Sequence, residues 1–147
     1  MTYTMEQTDN TGRKETRLSK PNNIIMVPAK GIELFKRWCI FLRPFIPLTN
    51  KEVDVMANFL YQRYELSKTV SDPSMLDTLL MSEKIKDRVI KESKISKPHF
   101  YVIMSNLRKN KVITGNAINP RLVPNIRQSD NGVFQLLILF KEDKKSA

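Results

Sequence analysis

Six side chains able to donate or accept hydrogen bonds (Lys97, His99, Tyr101, Ser105, Arg108 and Lys109) fall within the stretch KISKPHFYVIMSNLRKNKVI, residues 94–113. Between and around them, Ile95, Phe100, Ile103, Leu107 and Ile113 recur at helical spacing. The pattern predicts a short helix with an apolar back, turned to a core, and a basic front of hydrogen-bonding groups. Such a front has the chemistry needed to touch phosphates, sugars and base edges in the major groove of a duplex. Lys97, His99, Tyr101 and Ser105 are the candidates for probing the groove. Lys84, Lys94, Arg108 and Lys109 are the candidates for anchoring phosphates, contacts that fix register without reading sequence.

Other chemistries find less support. His99 is the only histidine and Cys39 the only cysteine, so neither a disulfide nor a thiolate metal cluster can form within the chain. None of the four glycines lies in a phosphate-cradling motif. Glu52 and Asp54 are carboxylates, but they fall in the first turn of a predicted helix, where acids serve the helix dipole. No nucleophile has a base and an orienting group nearby in sequence. No enzymatic activity, cofactor or metal is expected.

The elements that must position the basic helix can be read on either side of it. Ser96 is its N-cap, and Pro98 is tolerated in its first turn, where an N–H has no partner to lose. Ahead of it, Ser82 caps a helix over Ser82–Glu92 with Ile85, Val89 and Ile90 inward and Lys84, Lys86, Arg88 and Lys91 outward. Glu92-Ser93-Lys94 then makes the turn, giving two helices in helix-turn-helix order. Residues 82–113 hold nine lysines and arginines against three acids, a local balance of +6 out of a net +10, where even spreading predicts about +2. That concentration favours a polyanionic partner.

Further upstream, Thr49 and Glu52 have capping-box spacing before an apolar stripe of Val53, Met56, Ala57, Leu60, Tyr61 and Tyr64. Ile32–Phe41 reads as an amphipathic helix carrying Leu34, Phe35, Trp38, Cys39 and, just beyond, Leu42, and it is stopped by Pro44 and Pro47. Leu34, Phe35 and Trp38 suit either a core or a protein-docking face. Met75–Met81 is a short helix or loop after an Asp72-Pro73 turn. Residues 1–22 have almost no aliphatic side chains and are expected to be disordered, a mildly basic arm. Asn23–Pro28 reads as a short extended piece. Downstream, Ala117–Pro120 is a short strand and Arg121–Pro124 an extended run. Gln128–Gly132 reads as a turn and Val133–Phe140 (VFQLLILF) as a buried strand. Residues 141–147 form a charged tail. No secretory leader and no membrane span is expected.

The run ISKPHFYVIMSNLRKNKVI resembles the recognition helix of winged helix-turn-helix proteins, with Ile95, Ser96, Phe100, Leu107 and Ile113 at the positions of that pattern. Its continuation through Ile118-Asn119-Pro120 is similar to the wing of plasmid replication initiators and related phage-encoded proteins, where such a triplet follows the first wing strand. Lys111 departs from the pattern by standing where those proteins carry Gly at the helix end, and Asn110 is expected to take the left-handed conformation in its place. The resemblance implies a mainly α, α+β fold: a winged helix-turn-helix with an extra N-terminal helix and a short C-terminal β-wing. It divides the chain into an arm (1–22), an extension with an amphipathic helix (23–47), the winged domain (48–140) and a tail (141–147). It implies duplex DNA as partner, in a regulator or replication role in the bacterial host cytoplasm. The alternative is a phage virion component, an assembly or ring protein that reuses the fold, with other protein subunits or further copies of itself as partners. No membrane partner is expected on either reading.

Overall fold

The computed structural model describes residues 4–8, 14–18, 29, 31–128, 134–135 and 141–143. They fall into two compact units, 29–124 and a second made of residues before 29 and after 124. The first is mainly helical. It contains α1 (Ile32–Leu42), α2 (Asn50–Ser67), α3 (Pro73–Leu80), α4 (Glu83–Ser93) and α5 (Lys97–Lys109), followed by a hairpin of β3 (Ile113–Thr114) and β4 (Ala117–Ile118).

The expected caps are in place. Thr49 and Glu52 form the full capping box of α2. The Ser82 and Ser96 hydroxyls accept from the backbone N–H of Ile85 and His99 at 3.4 and 3.2 Å, and the Asp72 carboxylate caps α3 through Ser74 N–H. The segment left between helix and loop is therefore a helix, begun by Asp72 with Pro73 at its first position.

At the centre lies α2. Besides the predicted stripe, Val55 and Phe59 on its other side are buried, so α2 is enclosed nearly all round. It packs against α1, α3, α4 and α5. Its buried polar residues each hold a neighbouring helix. Glu52 Oε2 accepts from Asn106 Nδ2 of α5 at 3.1 Å, Asn58 Nδ2 donates to Ser93 Oγ at the end of α4 at 3.0 Å, and Gln62 Oε1 accepts from Arg88 of α4 at 3.1 Å. These contacts satisfy groups that would otherwise oppose burial. They also index both downstream helices to one rod.

α1 uses its aromatic residues within the unit. Phe35 is buried, its ring 6.0 Å from that of Tyr61 and 5.8 Å from that of Tyr64. Trp38 donates its indole N–H to the Leu122 carbonyl at 2.8 Å and stacks on Phe41, while Leu34 is half-buried. Phe35 is thus spent on the core, while Trp38 and Leu34, both half-buried, pack within the unit and keep part of their surface accessible. The apolar groups that this end of the unit exposes are Ile40 (53%) and Phe45 (68%).

α4 and α5 both end in the same way. Lys94 (φ 57°) and Lys111 (φ 65°) are left-handed. Ile95 N–H reaches back to Ile90 O and Val112 N–H to Leu107 O, the six-to-one bond of a Schellman closure, and a five-to-two bond accompanies each. Asn110, expected to take this conformation, is right-handed (φ −89°), and its side chain instead donates to Pro47 O at 3.3 Å.

The hairpin pairs Ile113 with Ile118 and Thr114 with Ala117 around Gly115-Asn116, with Gly115 at φ 64° in the first turn position that favours glycine. The triplet Ile118-Asn119-Pro120 begins at the last residue of the second strand and runs out of it, rather than following the first strand. Asn119 clasps the base: its N–H donates to Val112 O at 2.8 Å, Nδ2 donates to Lys111 O at 3.1 Å, and Oδ1 accepts from Arg121 N–H at 3.1 Å. That last bond starts a 3-10 turn over Pro120–Leu122, where an extended run was expected.

In the second unit, β1 (Thr4–Thr8) pairs antiparallel with β2 (Lys14–Leu18), Thr4 opposite Leu18. The arm expected to be disordered therefore carries a hairpin. The facing backbone groups of the two strands pair with each other, a source of order that needs no aliphatic side chains. β5 (Arg127–Gln128) pairs with β6 (Phe134–Gln135). Of the expected strand Val133–Phe140, only Phe134–Gln135 is among the described residues, and Asn23–Pro28 lies outside them.

Candidate nucleic-acid interface

α5 takes its orientation from four buried side chains, Phe100, Ile103, Met104 and Leu107. At 3.6 residues per turn, the direction opposite these four belongs to Pro98, Val102, Ser105 and Lys109. Tyr101 and Arg108 flank this outermost stripe on one side and His99 on the other. All of them are exposed, as are Lys97 at the first turn, Lys94 in the turn before it and Lys84 on α4. Every candidate groove or phosphate residue therefore reaches the surface.

Their distribution is uneven. Lys94, Lys97, His99, Tyr101, Ser105, Arg108 and Lys109 belong to α5 or its entry turn, a helix about 20 Å long. Lys84 begins α4, about 15 Å along that helix from the turn. It extends the basic surface at a distance. Lys86 is held by Glu83 at 3.8 Å and Arg88 by Gln62, so these α4 cations are engaged within the unit.

The electrostatic setting is one-signed. From Ser93 to Ser129 the chain contains no Asp or Glu and seven lysines and arginines. Arg108 and Lys109 close the last turn of α5, where cations oppose the negative end of the helix dipole. The basic candidates make no ion pair among the described residues; the ion pairs of this unit lie at Lys36–Asp54, Lys51–Asp54, Lys68–Glu65 and Lys86–Glu83. A face of this kind carries donors and charge without internal neutralisation.

Two further residues of this region are set by the structure. Val102 is 57% exposed in the middle of the outermost stripe, beside Tyr101 at 45%. A search for hydrogen-bonding chemistry passes over a valine; a helical wheel centred on the buried four finds it. Asn106 looks like another groove-facing amide in sequence, but its side chain turns inward to Glu52.

Elsewhere, Cys39 is buried and its thiol is pushed up to about 12 by desolvation, which keeps it protonated and unreactive. The Glu65 hydrogen bond raises the exposed Lys68. A groove of about 350 Å³ between α1, α2 and α4 is lined by Lys36, Asn58, Tyr61, Gln62, Arg88 and Glu92, among others, without a histidine, serine or cysteine. No group of three or more His, Cys, Asp or Glu suited to a metal ion occurs among the described residues, and no helix among them is long and apolar enough to cross a membrane.

No protein-family model matches the chain, and neither the curated proteins nor the solved structures contain a match to it.

Proposed function

We propose that this chain is a non-enzymatic duplex-DNA-binding protein of the winged helix-turn-helix type, with α5 as the groove-reading helix and the β3–β4 hairpin as a short wing. The observation that carries the reading is the outward face of α5, exposed along its length and free of carboxylates. Lys97, His99, Tyr101 and Ser105 face the bases, and Lys84, Lys94, Arg108 and Lys109 hold phosphates. A phage or plasmid regulator or replication protein in the bacterial cytoplasm fits this chemistry.

The test is the affinity of the full chain for a mixed-sequence duplex at ~50 and ~200 mM salt. Four phosphate anchors correspond to a log–log slope of about −3.6, so the fourfold rise in salt should weaken binding about 150-fold. Affinity that is absent or indifferent to salt overturns the reading. The exposed Ile40 and Phe45 favour a second one, a virion component that docks to other subunits through the end of α1. It calls for a large, salt-stable oligomer with no retention of DNA.

A further inference from the structure

The exposed Val102 is out of place on a surface otherwise suited to a polyanion. Branched apolar side chains in water lose favourable burial, and nothing in the core requires this one. Its neighbours on the outermost stripe are the exposed Pro98 ring one turn before it and Ser105 one turn after it. The buried Phe100, Ile103, Met104 and Leu107 already complete the core-facing side. An apolar group aimed along the axis of approach, with His99, Tyr101 and Ser105 about it and Lys109 two turns on, matches an apolar feature inside a negatively charged partner. The major groove offers one, the 5-methyl group of thymine, which projects among otherwise polar base edges.

We infer that Val102 selects thymine by packing its methyl groups against that 5-methyl, with Pro98 covering a second methyl one or two base pairs away. The inference rests on the DNA-binding reading above and deepens it by assigning the base. The spacing follows from geometry. Residues four apart rise about 6 Å along a helix, close to two base-pair steps of about 3.4 Å. Ser105 and Lys97, which can hydrogen-bond to several base edges, then refine neighbouring positions without fixing them alone.

The experiment isolates the methyl group. The full chain is used to select a preferred duplex from a randomised pool, and each thymine of that site is then replaced singly by deoxyuridine, which pairs identically and lacks only the 5-methyl. One or two replacements should weaken binding about fourfold each, the loss expected from exposing one buried methyl-sized group. Val102→Ala should bind the thymine site about as weakly as the wild type binds the critical uridine site, and should no longer distinguish the two. Val102 is 57% exposed in mid-helix, where alanine is the better helix former, so its replacement does not lower the thermal melt and any loss of affinity belongs to binding. Uridine replacement without effect at every position, or a full uridine effect that persists in Val102→Ala, overturns the inference while salt-dependent retention still upholds DNA binding. A change of oligomeric mass in Val102→Ala with unaltered DNA affinity overturns it in favour of a protein contact. Failure of the wild type to retain any duplex removes both readings together.

Discussion

The contact between Glu52 and Asn106 determines how α5 is presented, and its strength can be worked from the structure. Glu52 is 4% exposed, and its carboxylate accepts from Thr49 N–H at 3.0 Å and from Asn106 Nδ2 at 3.1 Å. Hydrogen bonds to a charged group contribute about 1.5–3 kcal/mol, and a buried acceptor left without a donor adds its own desolvation penalty. Asn106 is half-buried, so water can partly replace its amide, and Asn106→Ala should destabilise the unit by about 1.5–2 kcal/mol. Glu52→Ala removes this bond together with half of the capping box, for about 2–3 kcal/mol. Because both variants break the same bond, the double variant should lose no more than about 3 kcal/mol, a coupling of at least ~0.5 kcal/mol. Urea and thermal melts followed by far-ultraviolet circular dichroism measure all four corners of the cycle. For a unit of this size the Asn106→Ala midpoint should fall by about 6–15 °C. A coupling energy below ~0.3 kcal/mol would show that the two residues act independently and that α5 is seated by apolar packing alone.

Four more outcomes follow. Left-handed backbone costs a side-chain-bearing residue about 1–2 kcal/mol, partly offset in a glycine variant by the greater freedom of the unfolded chain, so Lys111→Gly should stabilise the unit by about 0.5–1 kcal/mol in urea melts. Lys94→Gly should stabilise it similarly and yet weaken duplex binding, a divergence that a purely structural lysine would not produce. Burial raises the Cys39 thiol from 9.0 to about 12. The unfolded chain therefore loses that proton first, and stability present in full below pH 9 should fall between pH 9 and 12 by up to about 1.4 kcal/mol per pH unit. Comparison with Cys39→Ala isolates this contribution, and parallel stability–pH curves for the two chains would refute it. Arg108→Ala, finally, should reduce the magnitude of the salt slope by about one unit for every duplex sequence alike, measured by titration at several salt concentrations.

Much of the helical unit was legible because its signals are local. A serine hydroxyl can reach only the N–H groups of its own first turn, so Ser82 and Ser96 fixed two helix starts, and Thr49 with Glu52 fixed a third. The partners of buried polar side chains are not local. Glu52 lies 54 positions from Asn106 and Asn58 lies 35 from Ser93, and neither pairing leaves a mark in spacing. For the same reason α2 reads as one apolar stripe although Val55 and Phe59 are also enclosed. Phe35 and Trp38 looked ambiguous until the positions of Tyr61 and Leu122 were known. The left-handed turn at Lys111 ran against residue preference, because the two Schellman bonds depend on where the chain must go next. In the N-terminal hairpin, strand pairing draws on backbone groups that composition does not report. On the candidate interface, the basic residues stand out by charge, whereas Val102 carries no hydrogen-bonding group to mark it and shows only through its exposure on the outward stripe.

The β3–β4 hairpin has two residue pairs, too few to persist in water unsupported. It is held from below by Asn119 and by the buried Ile113 and Ile118, while a side chain built at Gly115 of the tip meets nothing within 4 Å. Anchorage and reach are therefore separable. Extra residues inserted between Gly115 and Asn116 would add only about 0.6 kcal/mol of closure entropy for each doubling of loop length. The tip is thus the place where a longer finger can be grafted without disturbing the helices beneath it.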